Sequence, residues 1–331
     1  MKTIVTLVVL ALAALRPAPA RAEQQEIRIA KQYGLGYLPL VVLEDQRLVQ
    51  RKAAAAGLGD VKVSWVTVSG GPAAADALLS KGVDYIATGV TPLVVLWART
   101  NGAVKGVAAL DSVPVYVNTI NPAVKTIADF GEKDRIAVPA VKVSIQAVVL
   151  QLAAAKAFGD AGWARLDPLT VALKHPDAAV ALLSRSGGIT AHAASPPFVA
   201  QELADAKVRT VLNSFDLLGG PHTFNVLSST QAFAESNPKT FGIVYAALAE
   251  AIDWIHANRR AAAELYVRST KSKETVESVL AQLEDPAITY GTTPRRTAVF
   301  SDFLAKVGTI PAKPKDWKDL FFATVHGQPG S

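Results

Sequence analysis

Five histidines, at positions 175, 192, 222, 256 and 326, and a series of small polar turns are the parts of this 331-residue chain that could do chemistry. The histidines stand at least 17 positions apart, so no two have the spacing that puts metal ligands on one helix face, and no metal is expected. Cysteine is absent, which excludes a thiolate site, a disulfide framework and a cysteine nucleophile. The sequence contains no G-x-x-x-x-G-K-[ST] loop, no G-x-S-x-G elbow and no H-E-x-x-H, so the usual phosphate-binding, serine-hydrolase and zinc-protease patterns are missing. Asp111, His192 and Ser195 have the residue types of a triad, but a triad is defined by geometry that spacing does not supply. No cofactor and no catalytic residue are expected.

The polar turns carry a different chemistry, the capture of a small anion or polar molecule. Ser69-Gly70-Gly71 runs into Pro72 and a helical pattern. A serine N-cap with proline in the first turn leaves backbone N–H groups pointing at an anion. Thr88-Gly89-Val90-Thr91 before Pro92 repeats the arrangement with two hydroxyl donors. Ser144 precedes the helical run IQAVVLQLAAAKAF and is expected to cap it and touch the ligand. Lys142, two residues earlier, either gives the pocket a full positive charge or faces solvent. His192, in ITAHAAS, is either a packed strand residue or a ligand contact, with Ser195 at the next helix start. His222, in GGPHTFNV, has a similar, weaker claim. Gln32, Tyr33 and Tyr37, in KQYGLGYLPL, are expected to wall the pocket, and Tyr116 is a further wall candidate. His175, His256 and His326 are read as surface residues. The two glycines of KQYGLGYLPL do not make a dinucleotide fingerprint, because Pro39 stands where the third glycine belongs.

The elements that position these turns alternate. Strands are expected at 26–32, 61–68, 83–88, 104–109, 135–139, 169–173, 189–194, 208–213 and 222–228. Helices are expected at 38–56, 72–81, 92–100, 144–158, 176–185 and 196–206. This pattern predicts an α/β architecture with mostly parallel sheets. After residue 230 the strand signals stop and the chain reads as helical. GPAAADALLSKGVDYIATGVTP at 71–92 also resembles HPDAAVALLSRSGGITAHAASP at 175–196. Pro72 matches Pro176, and Leu78-Leu79-Ser80 matches Leu182-Leu183-Ser184. After a two-residue insertion, Gly82 matches Gly188. Two related lobes with a cleft between them are expected, since ligands of such sheets bind beyond the strand carboxyl ends, where helix N-termini point.

Lys2, an apolar run of about a dozen residues and Ala20-Arg21-Ala22 have the layout of a cleavable secretory signal ending at residue 22. The run is shorter than the roughly 20 residues that span a bilayer. The chain carries 34 Lys plus Arg against 28 Asp plus Glu; loss of Lys2, Arg16 and Arg21 leaves 31 against 28, a net of +3. No basic run interleaves with aromatics, so nucleic acid is not an expected partner.

Taken in order, RIAKQYGLGYLPL, VSGGPAAADALLSKGVDYIATGVTPL, VKTIADF, RIAVPAVKVSIQAVVLQLAAAKAFG, DAAVALLSRSGGITAHAASPPFVAQEL and GGPHTFNV resemble the periplasmic substrate-binding proteins of ABC importers. The likeness is to the nitrate, sulfonate and taurine branch, related to thiamine-precursor binding proteins. It covers essentially the whole chain after residue 22 and implies the type II periplasmic-binding-protein fold, two α/β lobes joined by two crossover segments over a ligand cleft. Crossovers are expected near 113–120 and 214–222. Residues 23–115 and 218–331 would form one lobe and 116–217 the other. The implied function is a monomeric periplasmic receptor that hands a small ligand to ABC transporter permease subunits. The alternatives are an enzyme on the same fold, acting on a thiamine-pyrimidine or sulfinate substrate, or a ligand-sensing partner of a membrane receptor. The absent cysteine closes the known sulfinate route.

Overall fold

Short runs rich in β-branched and small apolar residues, separated by helices, build two five-stranded sheets. The computed structural model describes residues 23–331, and the expected signal segment lies outside the described residues. The strands are β1 (Glu26–Lys31), β2 (Lys62–Thr67), β3 (Tyr85–Gly89), β4 (Val104–Ala109), β5 (Asp111–Ser112), β6 (Tyr116–Thr119), β7 (Ile136–Val138), β8 (Thr170–Ala172), β9 (Ala191–Ala194), β10 (Arg209–Asn213), β11 (Asn225–Thr230) and β12 (Thr289–Tyr290). The first sheet has the order β2-β1-β3-β11-β4 and the second β8-β7-β9-β6-β10, while β5 and β12 pair by themselves.

The two sheets are wound alike. In each, the first three strands are parallel, and an antiparallel strand is inserted beside the third: β11 in the first sheet, β6 in the second. Every residue of β3 and of β9 is buried, as expected for central strands covered by helices on both faces. The sequence repeat maps onto this symmetry. Helix Gly71–Leu79 leads into β3, and helix His175–Ser184 leads into β9.

The chain crosses between sheets after Ala109 and returns after Asn213. These two crossings are tied together: Ser214 N–H donates to the Val115 carbonyl at 2.9 Å and Val115 N–H donates to Ser214 Oγ at 2.8 Å. Residues 116–119, expected in the first crossover, are instead a central strand of the second sheet. That pairing is non-local, with β9 and β10 as partners. The expected helix 38–56 is two helices, Leu38–Asp45 and Leu48–Ala55, because Arg47 takes a left-handed φ of 51°. The break turns Leu48 and Val49 into the core, and apolar spacing alone does not reveal it. After residue 230 the chain is helical except for β12, which adds to β5. Among the described residues no helix is long and apolar enough to cross a membrane.

Candidate functional site

Four helices of nine residues or more begin at one cavity between the lobes: Gly71–Leu79 and Val90–Arg99 from the first, Ile145–Phe158 and His175–Ser184 from the second. Their first N–H groups lack intrahelical acceptors, and their dipoles add positive potential there. The cavity has a volume of ≈ 30 Å³, room for about two or three waters at about 10–15 Å³ each. Its walls carry no Lys, Arg, Asp or Glu.

The lobes are closed on this cavity. Leu35 N–H donates to the Pro196 carbonyl at 2.9 Å, and Thr91 Oγ1 donates to the Val143 carbonyl at 2.9 Å. A Cβ on Gly70 would stand 3.0 Å from the Pro139 oxygen. Two glycines shape the loop that makes the first contact. Gly34 has φ 124°, a conformation L side chains rarely adopt, and a Cβ on Gly36 would stand 2.0 Å from Asp111 Oδ2.

Of the residues singled out from sequence, Gln32, Tyr33, Tyr37, Ser69, Gly71, Ser144 and Ser195 line the cavity. Some of their detailed roles differ from expectation. Gly70, not Ser69, is the N-cap of helix Gly71–Leu79. Ser144 caps its helix, accepting from Ala147 N–H, while its hydroxyl donates to the Ala140 carbonyl at 2.7 Å. The Thr88 and Thr91 hydroxyls are not free donors: they are engaged by the carbonyls of Gly89 and Val143. Val90 N–H is taken by the Phe224 carbonyl.

Gly70, Thr88, Val90 and Thr91 lie just behind the cavity walls, and Lys142, Tyr116, His192 and His222 also fall outside them. Lys142 is exposed, with φ 67°, so it supplies no charge to the site. Tyr116 is half-buried in β6, where burial and the carboxylates of Asp285 and Asp216 raise its pKa. His222 is 0% exposed at the paired crossings. Its Nε2 lies 2.9 Å from Ser214 Oγ and its Nδ1 3.1 Å from the Thr223 carbonyl. The ring packs edge-on against Phe215 and Phe300, and burial pushes its pKa down to about 4. That is a neutral, structural histidine.

His192 is also 0% exposed, behind the wall. Its Nδ1 lies 2.5 Å from Glu202 Oε1 and its Nε2 2.8 Å from Nδ1 of His175. The imagined triad is not assembled, since Asp111 is bonded to Asn225 instead. His175, expected at the surface, is 7% exposed and lines the cavity. Burial first, and the His192 ring beside it, hold its pKa well below the usual histidine value. Gln146 Nε2 is 3.0 Å from His175 Nε2, and Ser195 Oγ is 3.5 Å from the same atom. With Gln146 on that nitrogen, Ser195 and His175 are not an aligned nucleophile and base.

Sequence reasoning also missed Gln146 and Asn225. Asn225 Nδ2 donates to Asp111 Oδ2 at 3.0 Å, while its Oδ1 is buried and has no partner. Behind it, burial raises the Asp111 pKa to about 8. A signal for His175 was present: Pro72 and Pro176 are matched in the repeat, so His175 occupies the position of Gly71 in the other lobe. Gln146 holds the second place of the helix that Ser144 caps. Asn225 carried no comparable mark.

The fold is that of the periplasmic substrate-binding proteins. The chain superposes on the alkanesulfonate-binding protein SsuA from Xanthomonas axonopodis pv. citri, bound to MOPS, with a TM-score of 0.65 and 20% identity over 87% of this chain and 92% of that one. SsuA from Escherichia coli, a periplasmic aliphatic sulphonate-binding protein, also gives 0.65 and 20%, over 91% and 92%. The periplasmic nitrate-binding protein NrtA from Synechocystis PCC 6803 gives 0.59 and 14%, over 79% and 70%. No curated protein matches the chain in sequence. Residues 20–267 match the NMT1-like family model, and the chain belongs to that family. The resemblance drawn from the sequence to the nitrate and sulfonate branch of substrate-binding proteins is borne out.

Proposed function

We propose that this protein is an exported, monomeric solute receptor that closes two lobes over a small oxyanion and presents it to an ABC importer, without catalysing a reaction. One observation carries the reading: four helix N-termini, two from each lobe, meet at a cavity between the lobes whose walls hold no lysine, arginine or carboxylate. Such a site stabilises a single negative charge through N–H groups and dipoles. It offers no carboxylate to an ammonium, which disfavours taurine. Its size fits nitrate or the head group of a small sulfonate. Gln32, Tyr33 and Tyr37 also line a neighbouring groove of ≈ 570 Å³ where Trp65 and Phe198 stand with Lys31, Lys271, Lys273 and a Glu44 that is paired with Lys31, and an organic tail would lie along its aromatic walls. The structural relatives named for sulfonate and nitrate binding support this class.

A thermal-shift series with nitrate, methanesulfonate, bicarbonate, taurine and a thiamine pyrimidine tests it. Ligand binding to the folded state alone stabilises by about 2.7 kcal/mol at 100 times Kd, so the oxyanions should raise Tm and taurine should not. A shift with the pyrimidine or taurine alone, or with none of the five, would overturn the assignment.

A further inference from the structure

A chain of buried groups runs from the interior of the second lobe to the ligand cavity. Glu202 is 0% exposed. Its Oε2 accepts from Asn118 Nδ2 at 2.8 Å, and Asn118 Oδ1 accepts from Thr210 Oγ1 at 2.7 Å. Its other oxygen meets His192, which meets His175, whose Nε2 faces Gln146 and Ser195 at the cavity. We propose that ligand capture adds one proton to this Glu202–His192–His175 chain, so that the site selects an anion and binds it in proportion to the protonated fraction. The inference rests on the cavity being the ligand site.

A neutral imidazole has one N–H and one lone pair. With His192 neutral, its Nδ1–H donates to Glu202, its Nε2 accepts from His175 Nδ1–H, and His175 turns a lone pair toward the cavity. That lone pair suits the Gln146 amide N–H as it stands, but it repels an oxyanion. With a proton added at His192, both its nitrogens donate. His175 Nδ1 becomes the acceptor, the His175 proton moves to Nε2, and the Gln146 amide, whose N–H would then meet an N–H, turns away, so that donors from His175 and Gln146 face the cavity. A proton taken up two rings away thus turns a repelling wall into an attracting one. The same proton neutralises a fully buried carboxylate that otherwise has no cation beside it, a costly arrangement.

Phe198 stacks on His175 with ring centroids 5.5 Å apart. Gln146, Asn118 and Ser195 carry no charge. On the His175 helix, Lys174 and Asp177 pair at 3.5 Å near the surface, and Lys174 also lies over the Tyr33 ring of the first lobe.

Imidazole ¹⁵N spectra of the full protein between about pH 5 and pH 8, where histidine titrates, read the chain directly, with nitrate and methanesulfonate as probes. His175 should switch from Nδ1–H to Nε2–H in the same step that protonates His192, and a bound probe should move that step to higher pH. Calorimetric Kd should weaken by about tenfold per pH unit above the step, and Glu202→Gln should flatten that slope. Because the wild-type spectra read the chain without any substitution, they decide even if the variant fails to fold. A probe that binds while His175 keeps one tautomer, or with a Kd independent of pH, would overturn the proton linkage alone. Failure of both probes to bind at every pH would overturn the linkage together with the receptor reading.

Discussion

At the residue scale the cavity depends on groups placed just behind its walls. Asp111 is the clearest. Burial raises its folded pKa from 3.8 to about 8, so the folded protein keeps a proton that the unfolded chain releases above pH 3.8. Its contribution to stability is whole below pH 3.8 and declines as pH rises toward 8. Asp111→Asn keeps the shape and the acceptor for Asn225 N–H but has no such loss. The variant should therefore lose less stability than wild type between about pH 5 and pH 8, measured by urea unfolding at both pH values. An equal pH slope in the two proteins would contradict the buried neutral acid. Gly36 is fixed by the same group. Gly36→Ala would place a methyl 2.0 Å from Asp111 Oδ2 and 2.6 Å from Asn225 Nδ2, and overpacking of this kind costs about 1–3 kcal/mol, a drop that chemical denaturation would detect. The GLGY loop was legible as a turn, but not the reason for its second glycine, because Asp111 and Asn225 come from distant segments.

Helix starts set the site at the scale of elements. Ser144→Ala removes the side-chain acceptor for Ala147 N–H and should cost about 1 kcal/mol of stability, again read by denaturation; no change would mean the cap is dispensable. Thr91→Val leaves the cavity lining intact but removes an inter-lobe hydrogen bond. A net loss of about 0.5–1.5 kcal/mol should shift the lobes toward opening and weaken ligand binding about two- to tenfold. Small-angle scattering of the unliganded variant should show a larger radius of gyration than wild type, and identical curves and affinities would remove Thr91 from the closure. Nine strands and most helices could be read from periodicity. The misses share a cause. Residues 116–119, β5 and β12 are strands only through distant partners, and the break at Arg47 interrupts no apolar pattern.

For the whole molecule, the sequence repeat was the most informative feature, since it foretold two lobes of like winding. It also held a residue the site reading passed over. His175 stands where Gly71 stands in the other lobe, and the repeat converts a small residue that admits a backbone N–H into an imidazole joined to a buried carboxylate. Lys142, His192 and His222 were attractive because charge and ring nitrogens are visible in sequence, whereas burial is not. The central claim is that the ligand sits between the lobes, at the four helix starts. A crystal structure with methanesulfonate tests it most directly. The account predicts sulfonate density between Gly71 and Gln146, with an oxygen within hydrogen-bonding distance of His175 Nε2. Sulfonate held only in the outer groove by Trp65 and Phe198, with the inter-lobe cavity empty, would contradict it.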